Sequence, residues 1–398
     1  MTPVAEALQK ILAEIGFVAG TEYVEVSQAS GRVLASNPVS PMAVPAFANS
    51  QMDGYAGRFD DFQSYSFLPV VMRIPAGSNP STLAPGALAR IFTGAPIPAG
   101  ADTVVMQEDV QTEQRESQLF ARPVKPPEAR GQFVRQSGAD LQPGQRLFES
   151  GHRLSSADVG LLASIGIGQV HVTRRPRVAL FSTGDELVQP GEEPQPGQIF
   201  DSNRPMMRAW FRHLGLHVTD LGCLQDKAEL TREALAEASE SHDLVLTCGG
   251  VSVGEEDHVK AAVSALGRLS LWKLAMKPGK PFAFGQIGDC YFVGLPGNPV
   301  SAWVTFFVLG QLIVRRLEGE RAPTQLKVRL PAGFHWPRPD SREEFLRGGI
   351  DLQGHLQIHA RQDSHILSSL AQSHGLVRVP AGTCVAPGDL LDFFPYRF

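Results

Sequence analysis

Three lysines and a run of acids lie close together in residues 244–301 of this 398-residue chain, and they set the chemistry to be explained. Lys273, Lys277 and Lys280 fall within one segment, WKLAMKPGKP. Glu255, Glu256 and Asp257 come earlier, directly after the loop that holds Gly249, Gly250 and Ser252. That loop stands between the apolar strand LVLT and a helix expected from about Glu256. Glycines at such a junction let backbone N–H groups approach an anion closely, and the helix dipole favours negative charge there. A second junction of the same kind follows. The apolar run YFVGL enters Pro296-Gly297-Asn298-Pro299, and a strongly apolar helix begins near Val300 with Ser301 in its first turn. Cations, amide-rich loops and acids together suit a phosphate whose surplus charge is shared with a divalent metal. Magnesium takes one or two carboxylates and completes its shell with phosphate oxygens and water. Without a metal, the acids would repel the phosphate. Taken singly, each feature has a plainer explanation, since acids cap helices, glycines make turns and lysines solvate surfaces.

The elements that must hold these groups follow from pattern. Residues 271–277 read as one strand, with Lys273 and Lys277 on one face and Trp272, Leu274 and Met276 on the other. Lys277-Pro278-Gly279-Lys280 suits a type II turn, with Pro at i+1 and Gly at i+2. Three ammonium groups then converge on one strand end. Upstream, the apolar run RVALFS enters Thr183-Gly184-Asp185-Glu186. A helix near residues 204–214, a strand near 218–221, a helix near 230–240 and the strand from Leu244 complete an alternation. Such alternation predicts a parallel sheet with helices on both faces, and ligands gather beyond the carboxyl ends of its strands. Glu186, Asp226, the Gly249 loop and the Pro296 loop would share that edge.

The flanking regions read differently. Val4, Leu8, Ile11, Leu12 and Ile15 make one helical stripe at the amino terminus. Residues 55–140 are rich in Pro, Gly and β-formers and predict a compact β domain, with a charged hairpin tip at residues 113–117. Asp53-Gly54, just before it, reads alone as a turn. Short strand candidates after Arg321 predict a small barrel or sandwich. Hydrophobic content of 43% and charged content of 19% are those of a soluble globular protein. Net charge of −5 argues against electrostatic nucleic-acid binding. The apolar run 300–314 is short for a membrane span and is interrupted by Gly310 and Gln311. No signal-peptide pattern opens the chain, and Cys223, Cys248, Cys290 and Cys384 are scattered as free thiols would be. A cytoplasmic protein is expected. His355, His359 and His365 lack metal-ligand spacing.

The motifs GGVSVGEED, WKLAMKPGKP and GLPGNPVS, in this order, resemble the molybdopterin molybdenumtransferase (MoeA) family, which is related to the E domain of gephyrin. The resemblance covers essentially the whole chain. It implies a multidomain α/β plus β protein, assembled as a homodimer. A central doubly wound α/β molybdopterin-binding domain would take residues 1–20 and 176–320. An elongated linker and dimerisation domain would take 21–46 and 141–175, a β-rich domain 47–140, and a C-terminal small β-barrel 321–398. The implied reaction is molybdenum insertion into adenylylated molybdopterin, dependent on Mg²⁺ and releasing AMP. Carried over residue by residue, the family's functional acids match Asp53, Asp140, Glu186, Asp226 and Asp257, and its other catalytic positions match Thr93, Lys273 and Lys277. Gly249, Gly250, Ser252, Pro281, Pro296 and Pro299 would line the substrate. Lys280, Ser301, Arg342 and Ser364 would hold an oxyanion, although relatives often carry Ser and Arg where this chain has His365-Ile366. Glu186, Asp226 and Asp257 would hold the metal. Because Asp53 falls in a different domain from the lysines, a cleft between domains, completed across the dimer, is expected. The implied partners are adenylyl-molybdopterin and molybdate, with transient contact to the adenylyltransferase of the same pathway, and neither nucleic acid nor membrane. A molybdopterin adenylyltransferase and a non-catalytic scaffold are the rival readings. Molybdate and tungstate are not distinguished.

Overall fold

The amino-terminal stripe folds as α1 (Val4–Glu14), which buries Val4, Ala7 and Ile11. The helix stops where Gly16 donates its N–H to the Tyr291 hydroxyl at 2.9 Å. The structure, a computed structural model, describes residues 1–17, 20–64, 66–251 and 258–396. The chain divides into two compact units: Met1–Ala35, Gly151–Ser155 and Val170–Phe398 form one, and Ser36–Ser150 with Ser156–Gln169 the other.

The second unit is built on six strands, β1 (Gly54–Gly57), β2 (Leu68–Ile74), β3 (Leu88–Ile91), β4 (Thr103–Met106), β5 (Val110–Arg115) and β6 (Gln118–Pro123). They lie in the order β4-β1-β3-β2-β6-β5. Ala56, Ile74, Ala89, Ile91 and Val104 form the core of this unit. Glu116, at the tip of the β5–β6 hairpin, has φ 52°, and charged side chains around it face solvent. The helix α2 (Ser156–Ser164) belongs to the same unit.

The first unit holds the alternating pattern. Its elements are β7 (Val178–Thr183), α3 (Asn203–His213), β8 (Val218–Leu224), α4 (Ala228–Ser241), β9 (Leu244–Cys248), α5 (His258–Leu266) and β10 (Arg268–Lys273). After a short strand β11 (Met276–Lys277) come β12 (Pro281–Ile287), β13 (Cys290–Leu295) and a long helical segment α6 (Pro299–Leu317). The sheet order is β8-β7-β9-β13-β12-β10. The first four strands run parallel, β12 runs against them, and β10 pairs antiparallel with β12, so the sheet is mixed rather than all-parallel. Alternate residues enter opposite cores: Val178, Leu180, Leu244 and Leu246 pack with α1, α3 and α6, while Ala179, Phe181 and Val245 pack with α4 and α5. Strands buried on both faces must be apolar throughout, which is why these runs carry no polar alternation.

The segment α6 is longer than the sequence reading allowed. It runs through a π-turn at Phe306–Gly310 and is long and apolar enough by composition to cross a membrane. It is 83% buried within the protein, where Trp303, Phe306 and Phe307 pack on Trp210. A core helix passes the same test of length and hydropathy.

The C-terminal strands are β14 (Val328–Pro331), β15 (Glu343–Ile350), β16 (Leu356–Ile358), β17 (Gly375–Val379) and β18 (Leu390–Pro395), with a short helix α7 (Leu367–Ala371). Pairing runs β14-β18-β17-β15-β16. A bridge from Ala332 to Leu356 joins the two ends, so the sheet closes as a small barrel around Phe334, Leu346, Val377 and Phe393.

Candidate functional site

Strands β8, β7, β9 and β13 are parallel neighbours, so the loops after Leu224, Thr183, Cys248 and Leu295 emerge on one edge. Asp226, Glu186, Gly249 and Pro296 fall within three residues of these strand ends, so they share the edge as predicted. Gly250 has φ +67° and a Cβ on it would collide with Val259 and lie 3.0 Å from the Thr183 hydroxyl. Only glycine lets this loop press onto the end of β7 and the start of α5. Gly249 donates its N–H to the Leu295 carbonyl at 3.0 Å, which fixes the loop to β13.

A buried scaffold lies behind the loops, and the sequence reading missed it. The Ser182 hydroxyl donates to the buried Asp201 carboxylate. The other oxygen of Asp201 accepts the N–H groups of Asn203 (3.1 Å) and Arg204 (3.2 Å), satisfying orphan donors of the first turn of α3. The Asn203 amide then donates to the Gly297 carbonyl at 2.7 Å. Asp201 and Asn203 thus tie the end of β7 to the Pro296 loop. Burial, followed by the Asp201 charge, pushes the Cys223 thiol up to about 11, and burial raises Cys248 further still. Both sulfurs are protonated near neutrality and supply no nucleophile.

Glu186 and Asp226 are exposed on this edge. Beside them, Asp185 accepts the Asp226 N–H at 3.1 Å, a carboxylate the sequence reading left out. Among the described residues, no group of three His, Cys, Asp or Glu side chains could hold a metal ion. Ser252 and Asp257 lie outside the described residues. Exposed carboxylate oxygens without a closed protein cage fit Mg²⁺, which keeps water and phosphate oxygens in its shell.

The lysines are arranged differently from the prediction. Residues 271–277 are not one strand. β10 ends at Lys273, which pairs with Pro281 on β12, and the Leu274 N–H donates to the Lys280 carbonyl at 2.8 Å. Residues 274–280 are therefore a loop closed at its neck, whose outer part, β11, joins the barrel sheet through Met276↔Glu343 and Lys277↔Glu344. Lys273 and Lys277 lie on different sheets, not on one strand face. The predicted turn at 277–280 is a bend with a cis Lys277–Pro278 bond. Gly279 has φ +111°, and a Cβ there would collide with the Thr305 hydroxyl.

This loop separates the three charges. Lys277 pairs with the buried Glu344 at 2.9 Å and with Asp340 at 3.5 Å. The second Glu344 oxygen accepts the Trp336 indole N–H at 2.6 Å. Arg342 grips Asp340 through Nε (2.9 Å), Nη2 (2.8 Å) and its backbone N–H (3.0 Å). These Arg342 hydrogen bonds, working against burial, hold the Asp340 carboxyl well below the usual range. Lys273 and Lys280 are exposed and have no ion pair among the described residues. Lys280, Asp340, Ser341 and Arg342 line an open cleft of about 550 Å³. Of the four residues expected to hold an oxyanion, Lys280 and Arg342 line this cleft, and Ser301 and Ser364 are not among its lining residues. Asp340 and Glu344, which offset two of the three positive charges of Lys277, Lys280 and Arg342, were not predicted; only their position around Arg342 in DSREE offered a signal.

Pro296 follows β13, and Pro299 takes the first turn of α6, where its missing N–H costs nothing. The Asn298 amide donates to the Ser364 hydroxyl at 3.2 Å, and the Ser364 carbonyl accepts the Val300 N–H at 3.2 Å. Ser364 is thereby joined to this loop, and Ser301 is buried in the first turn. Pro281 opens β12 directly after Lys280.

Three candidate residues belong to the second unit. One oxygen of Asp53 accepts both the backbone N–H and the hydroxyl of Thr93, each at 2.8 Å. The backbone bond first, then the hydroxyl, keeps its carboxyl ionised below the ordinary range. Asp140 donates its N–H to the Val44 carbonyl at 2.8 Å and leaves its side chain exposed.

Three family profiles match the chain in succession: "MoeA N-terminal region (domain I and II)" over residues 2–166, "Probable molybdopterin binding domain" over 179–316, and "MoeA C-terminal region (domain IV)" over 329–396. The molybdopterin molybdenumtransferase of Haemophilus influenzae is 39% identical over 382 residues, covering 94% of this chain and 93% of the relative. The one from Nostoc sp. is 38% identical, covering 91% and 85%. The crystal structure of a molybdopterin biosynthesis MoeA protein from Pyrococcus horikoshii superposes with a TM-score of 0.84 at 28% identity, covering all of both chains. With three successive profiles and relatives aligned along nearly its full length, this chain belongs to the molybdopterin molybdenumtransferase (MoeA) family.

Proposed function

We infer that this protein inserts molybdenum into molybdopterin. The observation that carries the reading is the cleft at Lys280 and Arg342, opening beside a loop whose neck presents a second exposed lysine, Lys273. That arrangement receives an oxyanion next to a phosphate-bearing substrate. The reading extends to adenylylated molybdopterin as the molybdenum acceptor and molybdate as the donor, with AMP as the leaving product. Lys273 and Lys280 attract and orient the anhydride phosphates and stabilise the charge that develops on the departing phosphoryl oxygen. Arg342 supplies planar donors to an oxyanion, a geometry a lysine cannot match. The Gly249 and Pro296 loops limit the approach of the substrate to the carboxyl edge of the sheet. Glu186 and Asp226, with Asp257, would hold Mg²⁺, which when bound neutralises phosphate charge. No side chain is needed as a covalent nucleophile, in keeping with the protonated state of Cys223 and Cys248.

The test is AMP release from adenylylated molybdopterin, with and without molybdate and Mg²⁺. Release that depends on both supports the reading. ATP consumption would make the protein an adenylyltransferase, and tight binding without release would make it a scaffold. We also propose a homodimer acting in the cytoplasm, with transient docking to the adenylyltransferase; light scattering on the purified protein checks the dimer.

A further inference from the structure

We propose that Asp340 is a built-in competitor for the oxyanion, and so sets the affinity of the Lys280–Arg342 cleft. The inference rests on the function proposed above. Among the described residues Arg342 is the one guanidinium lining this cleft, and its Nε and Nη2 are already engaged by the two oxygens of the Asp340 carboxylate, at 2.9 and 2.8 Å. The same carboxylate lies 3.5 Å from the Lys277 ammonium. An incoming tetrahedral oxyanion seeks these donors, because two parallel N–H···O bonds to a guanidinium are the strongest contact available to it. Asp340 presents the same chemistry from within the chain. It is therefore an internal stand-in for the ligand, and the ligand must share or displace it.

The neighbouring acid has a different part. Glu344 is buried, holds the Lys277 ammonium at 2.9 Å and accepts the Trp336 indole N–H at 2.6 Å. It keeps Lys277 in place when Asp340 gives way. Asp340 is only partly buried and lines the open side of the cleft, where exchange with an external anion is sterically possible. Counting described side chains alone, Lys277, Lys280 and Arg342 face Asp340 and Glu344. One net positive charge is left, enough to attract a small oxyanion without holding it permanently. A transfer enzyme must release its oxyanion onward, so modest affinity serves the reaction.

The experiment is calorimetric titration of the full-length protein with molybdate alone. Asp340→Asn keeps the shape of the side chain and removes its charge, and Asp340→Ser removes both. A like charge a few ångströms from a bound anion at a partly solvated site weakens binding by roughly fivefold or more. Both variants should therefore bind molybdate at least about fivefold more tightly than wild type at low salt. The gain should shrink in about 0.5 M salt, where surface charges are screened. In turnover, Asp340→Asn should lower KM for molybdate without raising kcat. Unchanged or weaker binding in both variants, with Lys280→Ala abolishing it, would show that the cleft takes the oxyanion but that Asp340 does not compete for it. Absence of molybdate binding in wild type and all variants would overturn the inference together with the functional reading beneath it.

Discussion

Single residues here were legible where a motif names them and hidden where only the fold shows which charge they meet. Asp53 and Thr93 were selected by resemblance, and the structure gives them a physical link: two hydrogen bonds to one carboxylate oxygen. The Thr93 backbone and hydroxyl hydrogen bonds lower the Asp53 pKa, so the carboxylate is ionised at neutral pH. Asp53→Asn should therefore cut molybdate-dependent AMP release at least about tenfold, an effect of about 1.4 kcal/mol or more on the barrier. Its melting temperature should stay close to that of wild type, because no buried group loses a partner. Thr93→Val, which keeps the backbone bond, should be milder. A large drop in melting temperature for Asp53→Asn would reassign the pair to a structural role. Glu344 and Asp201 escaped sequence reading because Lys277, Trp336 and Ser182 reach them from other elements, and Asp340 escaped it because two residues of spacing do not show that the Arg342 side chain folds back onto it. The thiols give a further check. With Cys223 raised to about 11 and Cys290 to about 12, chiefly by burial, iodoacetamide at pH 8 should modify the exposed Cys384 well before either. Mass spectrometry of a time course would read the order.

At the scale of elements, the strand-to-loop-to-helix junctions were legible because glycine and proline mark them directly. The lysine loop was not. LWKLAMK alternates as a strand should, and Leu274 and Met276 are indeed buried in one core, but between Lys273 and Met276 the backbone crosses from one sheet to another. Period-two alternation reports burial and cannot say which sheet does the burying. For the same reason the antiparallel edge made by β12 and β10 was invisible, since direction is set by connection and not by composition. Gly279 is what lets the loop close. Its φ of +111° is accessible to glycine alone, and a side chain would press on the Thr305 hydroxyl within α6. Gly279→Ala should destabilise the protein by about 1–3 kcal/mol, the usual cost of a residue forced into such a conformation. It should also weaken molybdate binding by displacing the adjacent Lys280. Thr305→Ala in that background should recover part of the stability by removing the clash while leaving the backbone strain. Full recovery would mean that the clash alone constrains position 279. Denaturant unfolding of wild type and the two variants decides between these.

At the scale of the whole molecule the chain supplies the first unit discontinuously: it leaves that unit after Ala35, returns to it at Gly151–Ser155 and returns again at Val170. The alternation of strands and helices announced the α/β sheet, but composition alone does not show that α1 packs on strands from the second half of the chain. Its apolar stripe says only that some partner exists. The re-entry point carries a clamp of its own. Asp243, just before β9, accepts Arg174 through both oxygens at 2.7 Å and also accepts the Arg177 N–H at 2.7 Å. This pins the returning segment to the start of the central sheet. Burial tends to raise the Asp243 pKa, but the bonds from Arg174 and Arg177 outweigh it and bring it down to about 2 from 3.8. A carboxylate with a lowered folded-state pKa stabilises the protein above its unfolded pKa, and that contribution is lost as pH falls through the folded value. The window is therefore about pH 4 down to about pH 2, and the amount is about 2 kcal/mol. Asp243→Asn should be less stable than wild type by about that much at pH 7 and at pH 5, by denaturant unfolding. The gap should close as the pH approaches 2, because the wild-type carboxyl then also becomes neutral. A gap that persisted unchanged across this range would place the effect in the lost geometry of the clamp rather than in its charge.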